Sequence, residues 1–245
     1  MTSTRFAIEV EHLTKEFRVV HREGSVKSAA LSRLRLRRPR VSMFKALDDI
    51  SFQIPRGQTV GVVGRNGSGK STLLTLLARI YRPTSGRVTV HGRVATLLEL
   101  GAGFHPEFTG VENIFLNGVI LGLPRAEIEA NLPHIIEFAG LGDFVDTKVK
   151  HFSSGMITRL GFAVAVHSQP DVLLVDEVLA VGDNEFQQKC YAKIEEFKRQ
   201  GITIFFVSHD MSAMQRVSDR ILWIDEHRVR TDGDAAQVIS EYSNR

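Results

Sequence analysis

Cysteine is almost absent from this sequence of 245 residues, which contains Cys190 and no other. A single thiol excludes a disulfide within the chain and leaves no partner thiol for a redox pair or a metal cluster. We therefore expect Cys190 to be a small buried or half-buried side chain. Hydrophobic residues make up 43% and charged residues 24% of the chain, which predicts a single globular domain over residues 1–245.

Long apolar runs are missing as well. Residues 1–6 lack the apolar stretch of a signal peptide. No later run approaches the roughly 20 residues that span a bilayer. We therefore expect the chain to remain in the cytoplasm.

The net charge is small, at +3, but it is unevenly distributed. Residues 18–45, the basic insertion, hold nine Lys or Arg residues and one acid, Glu23, so this segment carries +8. The other 22 basic and 27 acidic residues give the rest of the chain −5. Such a segment can be a solvated loop, or it can contact phosphates or anionic lipid. Its Leu31, Leu34 and Leu36 predict a short amphipathic helix.

The hydrophobic pattern indicates an α/β fold. Alternating apolar residues predict strands at 8–11 and 46–54, on either side of the basic insertion. The middle of the chain, about residues 97–166, is predicted to be mainly helical. Three continuous apolar runs are typical of strands buried on both faces of a parallel sheet, and they are residues 59–63, 172–175 and 203–207.

A glycine-rich loop between a predicted strand and a predicted helix at 71–80 fits the P-loop pattern G-x-x-x-x-G-K-[ST] in full. Glycines let backbone amides converge on phosphate oxygens, and the helix N-terminus adds its positive dipole end. Lys70 reaches the β- and γ-phosphates as a catalytic residue, and Ser71 can bind Mg²⁺. The residues predicted to hold the nucleotide here are Gly64, Asn66, Gly67, Ser68, Gly69, Lys70, Ser71 and Thr72. The sequence therefore predicts binding and hydrolysis of ATP with Mg²⁺.

Two further strand ends carry polar side chains. Asp176 and Glu177 follow the apolar run 172–175, at the end of a strand where α/β sheets bind ligands. Asp176 would hold Mg²⁺, and Glu177 would polarise the attacking water. His209 follows the run 203–207. Taken alone, the two acids could instead do no more than stabilise a helix N-terminus, and the histidine could have a purely structural role.

The order of these motifs resembles the nucleotide-binding domain of ABC transporters over nearly the whole chain. The resemblance implies a mainly parallel core sheet, an N-terminal antiparallel β subdomain and a helical subdomain. It also implies a head-to-tail homodimer with two ATP molecules at its interface. The roles that it implies are adenine stacking for Phe17, capping of the opposite subunit's γ-phosphate for Ser153 and Gly155, a switch histidine at His209, and a loop joining the two sites at Gly182-Asp183. From the residues alone, Phe17 could instead be a core aromatic and Ser153 an ordinary helix cap.

Two departures from the family pattern point to one group within the family. Residues 152–156 keep only the second and fourth positions of the usual Leu-Ser-Gly-Gly-Gln, and the glutamine that normally reaches the metal is absent from residues 97–106. Glu99 is the nearest polar substitute for it. Together with the segments 98–107 and 177–183, these features are similar to ATPases that export O-antigen, related lipid-linked polysaccharides and wall teichoic acids.

We therefore expect an ATPase subunit that lies on the cytoplasmic face of the inner or plasma membrane as a peripheral protein. Its partners would be a second copy and a separate polytopic permease, and its transported substrate a lipid-linked glycan. The chain resembles the short form without a carbohydrate-binding domain. The alternatives are an importer or drug-exporter ATPase and a soluble ABC ATPase acting on nucleic acid, for which the basic insertion could supply the binding surface. We expect no nucleic acid partner.

Overall fold

The structure is a computed structural model that describes residues 5–21, 40–98, 100–176, 182–208 and 210–244. Within these ranges the strands are β1 (Phe6–His21), β2 (Arg40–Pro55), β3 (Thr59–Val63), β4 (Ser85–Val90), β5 (Val94–Leu97), β6 (Val172–Val175), β7 (Thr203–Val207), β8 (Arg220–Asp225) and β9 (Arg228–Asp234). The α-helices are α1 (Lys70–Leu77), α2 (Gly110–Ile120), α3 (Arg125–Ala139), α4 (Ser154–Val166), α5 (Asn184–Arg199), α6 (Met211–Val217) and α7 (Ala235–Ser243). Short 3₁₀ helices occur at Gly142–Asp146 and Val149–His151.

The strands form a small antiparallel sheet and a larger central sheet. The small sheet has the order β2-β1-β4, and the central sheet has the order β5-β6-β7-β3-β8-β9. All neighbours in the central sheet are parallel except β8 and β9. The carboxyl ends of β3, β6 and β7 therefore lie at one edge of this sheet, where ligand sites form in α/β folds.

Apolar cores cover both faces of the central sheet. Consecutive strand residues point to opposite faces, so Val62 and Leu174 belong to one core while Val63 and Leu173 belong to the other. This arrangement explains why β3, β6 and β7 are continuous apolar runs rather than alternating ones. Cys190 lies fully buried in the second of these cores, as expected, and burial raises the pKa of its thiol to about 12.

The helical part of the chain has a third core, built by α2, α3 and α4. One face of α4 contributes Leu160 and Ala163 to this core, while another contributes Phe162 and Val166 to a core of the central sheet. This helix therefore packs against two cores at once. A capping box between Thr109 and Glu112 fixes the start of α2.

The architecture agrees with the α/β expectation of a mainly parallel sheet with an antiparallel sheet and a helical part. The predicted strands were too short, because β1 and β2 continue as a paired ribbon in which residues 16–21 face residues 40–45. Both ends of the basic insertion are thus strand, not loop. The helix predicted around Leu31, Leu34 and Leu36 lies outside the described residues. No helix in the described ranges is long and apolar enough to cross a membrane. The limits of the single domain and of its helical part stay predictions.

Candidate nucleotide site

The P-loop joins β3 to α1 as the sequence predicts. Gly69 is the residue before α1 and has a positive φ of 110°. A Cβ atom at this position would collide with the carbonyl oxygen of Ala46 on β2. Only glycine fits here, because both the backbone angle and the close approach of β2 exclude a side chain.

Lys70 lies folded over the loop that precedes it. Lys70 is only 6% exposed. Its Nζ donates hydrogen bonds to the carbonyl oxygens of Gly64 at 2.8 Å and Arg65 at 3.1 Å. These contacts hold the ammonium charge at the N-terminus of α1. A phosphate group placed there would meet both the charge and the helix dipole.

The P-loop also contains a buried hydroxyl group, that of Ser68. Its hydroxyl oxygen is buried and has no hydrogen-bond partner among the described residues. Buried polar atoms are rarely left unpaired in a folded protein, so an unpaired one calls for an explanation. The P-loop therefore fits the polyphosphate that its sequence predicts.

A cavity of about 310 Å³ opens at the P-loop. It is lined by Phe44, Ala46, Asn66, Gly67, Gly69, Lys70, Ser71 and Thr72. The structure thus brings six of the predicted nucleotide-binding residues to one cavity. Gly64 and Ser68 belong to the same loop but are not among the residues that line the cavity.

The other predicted residues at this edge are only partly described. Asp176 directly follows β6, which pairs with β7, and β7 in turn pairs with the P-loop strand β3. The topology therefore places Asp176 at the same edge of the sheet as Ser71. Glu99, Glu177 and His209 lie outside the described residues, and their roles stay predictions.

Ser153 and Gly155 do not line the P-loop cavity of their own chain. Ser153 is exposed and caps α4, because its Oγ accepts a hydrogen bond from the N–H of Met156 at 3.2 Å. A Cβ atom at Gly155 would contact nothing closer than Ser153 Oγ at 3.8 Å. The ordinary capping role is thus present, and it leaves the N-terminus of α4 accessible to a second molecule.

Phe44 is an aromatic side chain beside the P-loop that the sequence analysis missed. It is 46% exposed, lines the cavity, and makes an edge contact with His227 at a ring-centroid distance of 5.5 Å. Phe17 is its cross-strand partner and packs instead against Tyr81 at 5.5 Å and beneath the ammonium of Lys15 at 5.0 Å. Strand pairing was the signal that could have found Phe44, but the sequence places it in the basic insertion.

Comparison with known proteins identifies the family. The family of ABC transporters matches residues 47–180, which include the P-loop and β6. The chain belongs to the ABC transporter family. It is 48% identical over 237 residues to the O-antigen export system ATP-binding protein RfbB of Klebsiella pneumoniae, with 96% of each chain covered. It is 46% identical over 201 residues to the teichoic acids export ATP-binding protein TagH of Shouchella clausii, covering 82% of this chain and 56% of TagH.

Among solved structures, this ABC protein matches a dimeric ATP-binding cassette in a post-hydrolysis state bound to ADP and phosphate. The TM-score is 0.72 at 19% identity, and the match covers 93% of this chain and 98% of the other. The predicted fold class, an ABC-type P-loop ATPase, is confirmed by this likeness.

Proposed function

We propose that this chain is the ATP-hydrolysing subunit of an ABC exporter that moves a lipid-linked, O-antigen-like polysaccharide across the cytoplasmic membrane. The observation that carries the proposal is the P-loop cavity, with the buried Lys70 in its lining and the unpaired hydroxyl of Ser68 in the same loop. The 48% identity to RfbB over 96% of both chains supports the choice of O-antigen export.

The described residues supply binding and orientation of ATP. Backbone amides of the P-loop and the N-terminus of α1 would hold the phosphates, while Lys70 neutralises charge that develops at the γ-phosphate. Ser71 and Asp176 would hold Mg²⁺, which supplies further neutralisation of phosphate charge when bound. One hydroxyl and one carboxylate suit this ion, which is commonly held by few protein groups and the substrate phosphates. Glu177 would orient the attacking water, and His209 would sense the γ-phosphate.

The adenine base would lie beside the aromatic ribbon of β1 and β2. Phe44 and Ala46 point to the cavity from the same face of β2, because they are two residues apart on one strand. In the order β2-β1-β4, Phe17 lies one strand further from the P-loop cavity. We propose Phe44 as a base-stacking residue in addition to, or in place of, Phe17.

A complete site needs a second copy of the chain in this proposal. Ser153 and Gly155 lie outside the cavity of their own subunit, and the exposed N-terminus of α4 can approach the γ-phosphate held by another subunit. The two copies would close head to tail over two ATP molecules. The further partner would be a polytopic permease at the cytoplasmic face of the membrane, which binds the lipid-linked glycan.

Teichoic acid export is the second candidate, supported by the 46% identity to TagH. Both candidates predict the same ATPase site, so export assays must separate them. The test is complementation in cells that lack this protein, followed by analysis of the surface glycan. Restored surface polysaccharide by the parent chain, and none by Lys70→Ala at equal expression, is the expected result. Normal export with Lys70→Ala would refute the proposal.

A further inference from the structure

Arg159 on α4 and Asp183 at the start of α5 form an ion pair between the two helices. Helix α4 is capped by Ser153, the residue proposed to act on the second subunit's nucleotide. Helix α5 begins after Asp183, and only residues 177–181 separate Gly182 from Asp176. The ion pair therefore connects the helix that Ser153 caps with the start of α5 within one chain.

The carboxylate of Asp183 contacts both helices with different oxygens. Its Oδ1 accepts a hydrogen bond from the N–H of Phe186 at 2.9 Å and so caps α5, while its Oδ2 accepts one from Nη2 of Arg159. The Phe186 N–H and the charge of Arg159 both hold the pKa of this carboxyl below its ordinary value. The carboxylate is thus charged at neutral pH, and its position is fixed from two sides.

Phe186 completes the connection between the helices. The guanidinium carbon of Arg159 lies 5.3 Å from the centroid of the Phe186 ring, a distance typical of a cation–π contact. Phe186 is buried and makes an edge contact with Phe162 of α4 at 5.9 Å. Gly182 has a positive φ of 75°, and a Cβ atom there would lie 3.2 Å from this ring. The chain therefore passes close to Phe186 just before it reaches Asp183.

We infer that Arg159 is a positioning residue, which fixes the chain entering α5 to the helix that Ser153 caps. Because of this contact, Ser153, the residue that acts on the partner's nucleotide, and Gly182-Asp183, where the chain enters α5, keep one relative position. A subunit would bring both into place together when the dimer closes. This inference rests on the proposed function, since it assigns Arg159 a role in the same ATPase reaction.

The pair is unlike a contact that mainly supports the fold. The side chains are 27% exposed for Arg159 and 60% exposed for Asp183, and exposed ion pairs contribute little to stability. Removing the guanidinium should therefore leave the protein folded. Its loss should instead change the rate of the step that needs the two segments aligned.

The test compares Arg159→Met, which keeps a long apolar side chain on Phe186, with Arg159→Lys and Asp183→Asn. Asparagine caps helices about as well as aspartate, so Asp183→Asn removes the ion pair but keeps the cap. The matched control is Lys189→Met, which breaks the pair between Lys189 and Glu185 at 3.2 Å, an ion pair within α5 itself.

For Arg159→Met and Asp183→Asn we expect kcat to fall at least about ten-fold while the KM for ATP changes less than about three-fold, since only the aligned state is affected. The double variant should be no slower than either single one, because both remove the same interaction. Arg159→Lys should recover part of the rate, and Lys189→Met should keep the parental rate. A kcat for Arg159→Met within two-fold of the parent, or additive losses in the double variant, would overturn the inference.

Amide hydrogen exchange gives a readout that does not depend on ATP hydrolysis. The first-turn amides of α5 should exchange faster in Arg159→Met than in the parent, and at the parental rate in Lys189→Met. Unchanged exchange would overturn the inference even if catalysis were altered. A parent protein without ATPase activity would contradict the proposed function instead, while the exchange result would still decide whether Arg159 fixes the start of α5.

Discussion

Phe17 and Phe44 are directly paired across the ribbon of β1 and β2, yet only Phe44 lines the P-loop cavity. Phe44→Ala should weaken ATP binding, because stacking of a base on an aromatic side chain contributes about 1–3 kcal/mol. The expected rise in Kd is about five-fold or more, measured by equilibrium binding of a fluorescent ATP analogue. Phe17→Ala is the matched variant, and its effect should be the smaller of the two. A larger loss with Phe17→Ala would return the stacking role to Phe17.

Glu177→Gln should abolish turnover while ATP remains bound. The amide cannot accept a proton from water, but the P-loop is untouched, and general base catalysis contributes about 10²–10⁴-fold. Gel filtration should then show a stable dimer that forms only with ATP. Hydrolysis within a few-fold of the parent would remove Glu177 from the mechanism.

Mixing of two inactive variants tests the proposed action of Ser153 across the dimer. Ser153→Arg and Lys70→Ala should each be inactive as homodimers. A mixed dimer has one site with an intact Lys70 from one subunit and an intact Ser153 from the other, so mixing should restore activity. Random pairing limits the recovery to about a quarter of the parental rate. No recovery, with mixed dimers shown to form, would argue that both residues act on the same chain's nucleotide.

We expect the folded protein to lose stability in mild acid because of His167, at the end of α4. Burial lowers the pKa of this histidine below its ordinary value of 6.5, with Lys193 and His134 adding charge repulsion. The unfolded chain therefore binds a proton more readily than the folded one, and stability present above about pH 6.5 is lost as the pH falls. Thermal unfolding between pH 7.5 and pH 5 should show this slope. It should be reduced in His167→Gln but kept in His151→Gln, a change at an exposed histidine.

Removing positive charge from the basic insertion should reduce export without changing ATP hydrolysis. Changing Arg35, Arg37 and Arg38 together to Gln removes charges that would attract a lipid diphosphate or anionic headgroups, at about 1 kcal/mol per basic residue near such a surface. Basal ATPase activity of the purified subunit should change little, since no proposed catalytic residue is altered. Export in cells should drop. Normal export at parental expression would show that these three charges make no contribution to export.

The sequence was most informative where the chemistry is local. The P-loop, with Lys70 and Ser71, could be placed because one continuous motif contains both the turn and the helix start. Phe44 could not be placed, because its role depends on the register of a ribbon that continues into the basic insertion. The ion pair of Arg159 with Asp183 was equally hidden, since its partners are 24 positions apart along the chain. Glu99, Glu177 and His209 stay predictions outside the described residues.

Helix α4 contributes side chains both to the core of the helical part and to a core of the central sheet. Leu160 and Phe162 lie only two residues apart but are buried in different cores. Neither core can lose this helix without exposing the apolar surface of the other. The helical part is therefore not an independent melting unit, and heating should produce one calorimetric transition that includes both layers.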